Sequence, residues 1–230
     1  MTEAEWNAFQ WPLEPLEFLA GRASQRKLRL FTAACCRQIW RFLKHEELRR
    51  LVLVSEQFAD KRITEKEFEK AYTAVIALED PEGNDAEMNA VISAAATPLE
   101  PFHCTDCAEE AADAIFMEAS AKVPKIQGKI QIKITQGIRL EHLKKQVVAL
   151  RCIFGPLPFR SVAVESVWLT PTVKQLAQAI YDERAFDRLP ILADALEDGG
   201  CTNADILSHC RGAGPHVLGC WVVDLLLGKE

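Results

Sequence analysis

Apolar residues recur at intervals of three and four along most of this chain, the spacing that lines one face of an α-helix. Leu28, Phe31, Cys35, Ile39 and Phe42 share one face of a helix that Ser24 can cap and that the pattern carries to about residue 43. A short helix near residues 16–19 precedes it, and a second long helix is predicted over 46–60. Thr64-Glu65-Lys66-Glu67 is a capping box, opening a helix to about residue 78. Asp80–Asn84, DPEGN, reads as a turn, followed by an alanine-rich helix to 96, a loop at Pro98 and Pro101, and a helix over 105–121. The period then changes. Ile130, Ile132 and Ile134 alternate with Gln131 and Lys133, which is strand periodicity. The expectation is at most a short strand near 129–135, paired with Lys125–Gln127 or with another chain, or else a linker. Helical spacing resumes over 140–152, stops at Gly155-Pro156-Leu157-Pro158, and gives way to an extended stretch over 161–169.

Helix signals are densest from residue 170 onward. Thr170 followed by Pro171 is a capping hydroxyl with a proline at the first helical position. Val173, Leu176, Ala177 and Ile180 follow at helical spacing. Asp187 is placed to cap a second helix with Leu189, Leu192, Ala193 and Leu196 inward, ended by Gly199 and Gly200. Thr202 and Asn203 offer caps to a third helix carrying Ile206, Leu207 and Cys210. Pro215 opens a fourth over 216–227, apolar nearly all round and so expected at the centre of the bundle. Its one acid, Asp224, reads as an arginine partner or helix cap, with a catalytic carboxylate as the alternative. The fold class is all-α: a multi-helix bundle with a compact four-helix C-terminal bundle. The expected division is 1–123 as an N-terminal helical region, 124–137 as a variable linker or short strand, and 138–230 as the C-terminal bundle.

Several stretches resemble an uncharacterised protein family of planctomycete bacteria. They are MTEAEW with RASQRKLRLFTAACCRQIW near the start, IFGPLPFRSVAVESVWLT in the centre, and YDERAFDRLPILADALEDGGC with HCRGAGPHVLGCWVVDLLLGKE at the end. The resemblance covers about half the chain, leaves out roughly 71–137, and implies no activity.

Charge changes the picture more than composition does. The net charge of −6 over 230 residues argues against a generally nucleic-acid-binding chain. Between Arg22 and Arg50, however, nine basic residues face two acidic ones, a local +7 that leaves −13 on the remainder. Arg26, Lys27, Arg37, Arg41 and Lys44 fall opposite the apolar face of the 24–43 helix. That stripe is either a contact for phosphate or another acidic surface, or a solvated face docked on the acidic rest of the chain. No aromatic residues interleave with it, which weakens a single-strand stacking role.

Eight cysteines accompany a start, MTEAEWNAFQ, with neither the basic residues nor the apolar run of a secretory leader. Reduced thiols in a cytoplasm are therefore expected, and no apolar run reaches membrane-spanning length. His103-Cys104-Thr105-Asp106-Cys107 holds a CxxC, readable as a redox pair, half a zinc site or small packing residues. Cys201, His209, Cys210, His216 and Cys220 fall within twenty residues, and four of them have the chemistry of a tetrahedral zinc site, though at no standard finger spacing. The contrary expectation is that the thiols pack as small hydrophobes and the bundle folds without metal. A helix-turn-helix around Gly199–Thr202 is disfavoured, because residues 187–212 carry two arginines against five acids. No phosphate loop, HExxH, GxSxG or dinucleotide fingerprint occurs. The leading expectation is a non-enzymatic helical module binding a protein partner. The alternative is a zinc-stabilised nucleic-acid-associated protein using the basic stripe, and the third is an enzyme of unrecognised type.

Overall fold

The structure, a computed structural model, describes residues 1–78, 85–122 and 128–229, the side chains of 101 and 122–133 excepted. The described residues form 12 α-helices and no strand, an all-α fold. They divide into two compact units, Met1–Val147 and Val148–Glu230. The first holds α1 (Glu3–Ala8), α2 (Leu13–Leu19), α3 (Gln25–Gln38), α4 (Glu46–Ala59), α5 (Glu65–Ile76), α6 (Ala86–Ala94), α7 (Pro101–Lys122) and most of α8 (Gly128–Phe154). The second holds the end of α8, then α9 (Pro171–Glu183), α10 (Leu189–Asp198), α11 (Ala204–Arg211) and α12 (Trp221–Leu227). Single 3-10 turns occur at Ser166–Trp168 and Phe186–Arg188. Among the described residues no helix is long and apolar enough to cross a membrane.

In the first unit α3 is the central element, packed by α4, α6 and α7. Ser24 caps it, its hydroxyl accepting from the Lys27 amide at 3.3 Å. Every residue from Leu28 to Cys36 is buried, so the helix has an apolar surround rather than one apolar face. Each fully buried leucine or phenylalanine there contributes on the order of 1.5–3 kcal/mol relative to exposure. This burial takes in Arg29, which is 3% exposed. Its guanidinium lies over the rings of Phe58 and Phe68, 5.2 and 4.9 Å from their centroids, and those rings stack on each other at 4.6 Å. Nη2 donates to the Ala96 carbonyl at 3.0 Å and to the Thr97 hydroxyl at 3.2 Å. Burial brings its pKa down to about 10, which still leaves it charged at neutral pH. Arg29 therefore ties α3 to the α4–α5 hairpin through the two rings and to the turn after α6 through two hydrogen bonds.

Three expectations are corrected. The helix begun at Ser24 ends at Gln38, not near 43, because the next residues turn so that Ile39 and Leu43 both reach the core, each 0% exposed. Residues 128–137 belong to α8, not to a strand or linker. Ile130, Ile134 and Ile138 are spaced by four as well as alternating with polar residues, so both periods were satisfied, and continuity with the helical run after them favours the helix. The last helix begins at Trp221, not His216, since Gly214, Pro215 and a left-handed Gly219, φ 89°, hold the preceding residues outside a helix. The turn at Asp80–Asn84 and the hairpin partner at Lys125–Gln127 lie outside the described residues.

In the second unit α9 packs against α10 and α12, and α10 against α11. The Thr170 hydroxyl accepts from the Val173 amide at 3.2 Å, with Pro171 at the start of the helix. Asn203 caps α11 by accepting from the amides of Asp205 and Ile206. Asp187 does not cap α10; it sits in the 3-10 turn Phe186–Arg188 that leads directly into that helix. Asp224 is 1% exposed in the buried α12.

Candidate metal centre and basic surface

Three segments of the second unit bring four soft donors together. Cys152 is in the last turn of α8, which ends where Gly155 takes φ 50° and prolines follow. His209 is in the last turn of α11. His216 and Cys220 belong to the non-helical stretch between α11 and α12. One ligand atom from each of Cys152, His209, His216 and Cys220 lies within 4.8 Å of all the others. The Cys152 Sγ is 3.6 Å from His216 Nδ1, and Cys220 Sγ is 3.3 Å from His209 Nε2. Both sulfurs are buried and both imidazoles half-buried.

The surroundings orient these groups. His216 Nε2 donates to the Gly212 carbonyl at 3.3 Å, which turns the Nδ1 lone pair toward the sulfurs. The Val217 amide donates to Cys152 Sγ at 3.4 Å. A β-carbon on Gly214 would stand 2.6 Å from the His216 amide nitrogen and 2.8 Å from its ring, so glycine is required for the imidazole to fold back there. The His209 ring is 4.8 Å from that of His216 and 5.4 Å from the buried Trp221.

Charge is shared unevenly across the cluster. Burial works against a Cys220 thiolate, but contacts with the Cys152 thiol and both imidazoles outweigh it and hold Cys220 well below the usual thiol range. Burial, then the neighbouring Cys220, pushes Cys152 the other way. Burial alone would lower His216, but its contact with Cys220 raises it.

Of the residues singled out in the sequence, His209, His216 and Cys220 meet in this cluster, whereas Cys201 and Cys210 do not. Cys201 is 2% exposed and Cys210 0%, and burial pushes both thiols up, as expected of packing residues. The fourth donor, Cys152, was not in the sequence-derived set. It lies far upstream of His209, and no local spacing connects the two. Cys104 and Cys107 of the CxxC are both 0% exposed, and burial pushes Cys104 up to about 12, far from the thiolate that redox chemistry needs. The single arginine of α11, Arg211, is held by Asp194 at 2.7 Å and by Glu197, both on α10.

The basic stripe is divided by the fold. Arg26 donates to the buried Asp60 at 3.0 Å, and Arg37 forms a bidentate pair with the buried Glu56 at 2.6 and 2.7 Å. Lys27 is half-buried. Arg41 and Lys44 lie beyond the end of α3 and are exposed. Arg41 is 72% exposed and meets Glu118 at 3.6 Å. Its field reaches His142 on α8, as does that of the exposed Lys145.

Burial first, then Lys145 and Arg41, lower the His142 pKa from 6.5 to about 4, and its Nδ1 is buried without a hydrogen-bond partner. The unfolded chain then takes up this proton near pH 6.5 and the folded chain only near 4. Stability from this group is full above pH 6.5, falls as the pH drops toward 4, and is level below that. Discounted for partial exposure, the loss is on the order of 1–2 kcal/mol. Subtracting urea-unfolding curves of His142→Gln from those of wild type across this window isolates the slope. Parallel curves would place His142 in water.

No known protein family, curated protein or solved structure matches this chain, so the resemblance to a planctomycete family attaches no role to any of these residues.

Proposed function

We propose that this chain is a non-enzymatic helical interaction protein whose first unit offers a cationic surface, centred on Arg41 and Lys145, to an acidic protein partner. The observation that carries this reading is the sorting of the basic residues. Arg26 and Arg37 neutralise buried carboxylates of the same unit, while Arg41 stays 72% exposed, with a 3.6 Å ion pair to Glu118 and its guanidinium 4.5 Å from the centroid of the Phe42 ring. Lys145 joins it on His142, and the imidazole between their fields is held neutral. A stripe meant to track a nucleic-acid backbone would keep its cations free to replace counterions. Here the pairing leaves a compact patch, suited to steering and orienting a partner of opposite charge.

The test is affinity capture with the full chain and with the double variant Arg41→Glu/Lys145→Glu, followed by titration of each captured protein. A specific partner is expected to lose about tenfold or more in affinity with the double variant, at roughly 1 kcal/mol for each reversed charge. Equal binding by both proteins would remove this surface from the reading. Binding of DNA or RNA that falls steeply with salt and vanishes in the same variant would favour the nucleic-acid alternative instead.

A further inference from the structure

We propose that Cys152, His209, His216 and Cys220 form a tetrahedral zinc site, a closed Cys2His2 centre that fastens the 212–220 stretch to the ends of α8 and α11. The argument is geometric. Zinc bound to sulfur at about 2.3 Å and to imidazole nitrogen at about 2.0–2.1 Å, at tetrahedral angles, sets each nitrogen–sulfur edge near 3.5 Å. Two of the four such edges in this cluster are 3.6 and 3.3 Å. All four donors lie within 4.8 Å of one another, against edges of about 3.3–3.8 Å in a bound tetrahedron, so shifts on the order of 1 Å would close them on an ion.

The chemistry of the donors agrees. Thiolate and imidazole together are the ligand set that zinc prefers, and four protein ligands leave no open position, the mark of a structural site. The outer contacts are those a metal site uses. The Gly212 carbonyl fixes the ring nitrogen of His216 that faces away from the centre, and the Val217 amide supports negative charge on Cys152. Zinc takes both cysteines as thiolates and both histidines as neutral imidazoles, so whatever protons occupy those ligand atoms leave to solvent and no oxidation state changes. The half-buried imidazoles give the ion its way in, while the sulfurs remain enclosed. This proposal runs counter to the expectation of a metal-independent bundle, and its ligand set differs from the sequence-derived one by having Cys152 in place of Cys201 and Cys210.

The experiment uses the full chain purified without added zinc. Metal content by mass spectrometry is expected near one zinc per chain, and X-ray absorption is expected to show two sulfur and two nitrogen neighbours. In the apo chain, cobalt(II) should give the visible bands of a tetrahedral thiolate complex and be displaced by zinc. Cys152→Ser and Cys220→Ser should each weaken zinc binding by more than about 100-fold, beyond the usual effect of losing an outer-shell contact. Cys210→Ser should retain the metal in full. Because the ligand variants can also disturb folding, the absorption measurement on wild type stands as an independent check. An apo chain that takes up no zinc, a shell without two sulfurs, or metal lost from Cys210→Ser but kept by Cys152→Ser would overturn the assignment.

Discussion

Replacing Gly155 by alanine is expected to destabilise the second unit by about 2–4 kcal/mol, the sum of a left-handed backbone penalty and an overpacked core. Gly155 has φ 50°, and a β-carbon there would stand 2.5 Å from Cδ1 and 2.6 Å from Cγ of Trp221. The indole cannot easily yield, since Trp221 is 2% exposed and opens the buried α12. It also lies against His209, so a displaced indole would loosen the Cys/His cluster as well. Gly137, inside α8, is the matched control: nothing lies within 4 Å of where its β-carbon would be. Gly137→Ala should be neutral or stabilising by up to about 1 kcal/mol, because alanine loses less conformational freedom in a helix. Urea unfolding of the two variants checks the pair. Equal effects would mean that the close approach of Gly155 to Trp221 is not what requires glycine.

Arg37→Ala is expected to cost about 3 kcal/mol, since it takes the bidentate guanidinium from a carboxylate with 5% side-chain exposure. Arg37→Lys should recover only part of this, because an ammonium cannot reproduce the planar fork that reaches both oxygens of Glu56. Arg41→Ala, at 72% exposure, should change stability by no more than about 0.5 kcal/mol. A thermal or urea denaturation series across these variants separates the basic residues that build the fold from those left for a partner. Similar losses for Arg37→Ala and Arg41→Ala would erase that separation and weaken the proposed cationic surface.

The two proposed functions fail independently. Loss of the cationic surface would leave the Cys/His cluster untouched, since Arg41 and Lys145 belong to the first unit and all four donors to the second. A chain without zinc would still present Arg41 and Lys145.

What the sequence determined by itself were the features set by neighbours along the chain. The Thr64 capping box, the Thr170-Pro171 start and the Asn203 cap need side chains within three residues of the amides they satisfy, and each is formed. The all-α class follows from a helical period repeated over most of the length. Where a local pattern carried two meanings, as at Ile130 to Ile134, the helical continuation decided it. The tertiary structure alone decided which polar groups are withdrawn from water. A helical wheel put Arg26, Lys27, Arg37, Arg41 and Lys44 on one solvent face, but α3 is surrounded, and buried carboxylates on or just after α4 recruit Arg26 and Arg37. The same holds for the candidate zinc site. His209, His216 and Cys220 were visible as a cluster because they lie close in sequence, whereas Cys152 joins them only where the chain returns to the end of α8. Coordination depends on distance in space, and no spacing rule links donors brought together by the packing of separate helices.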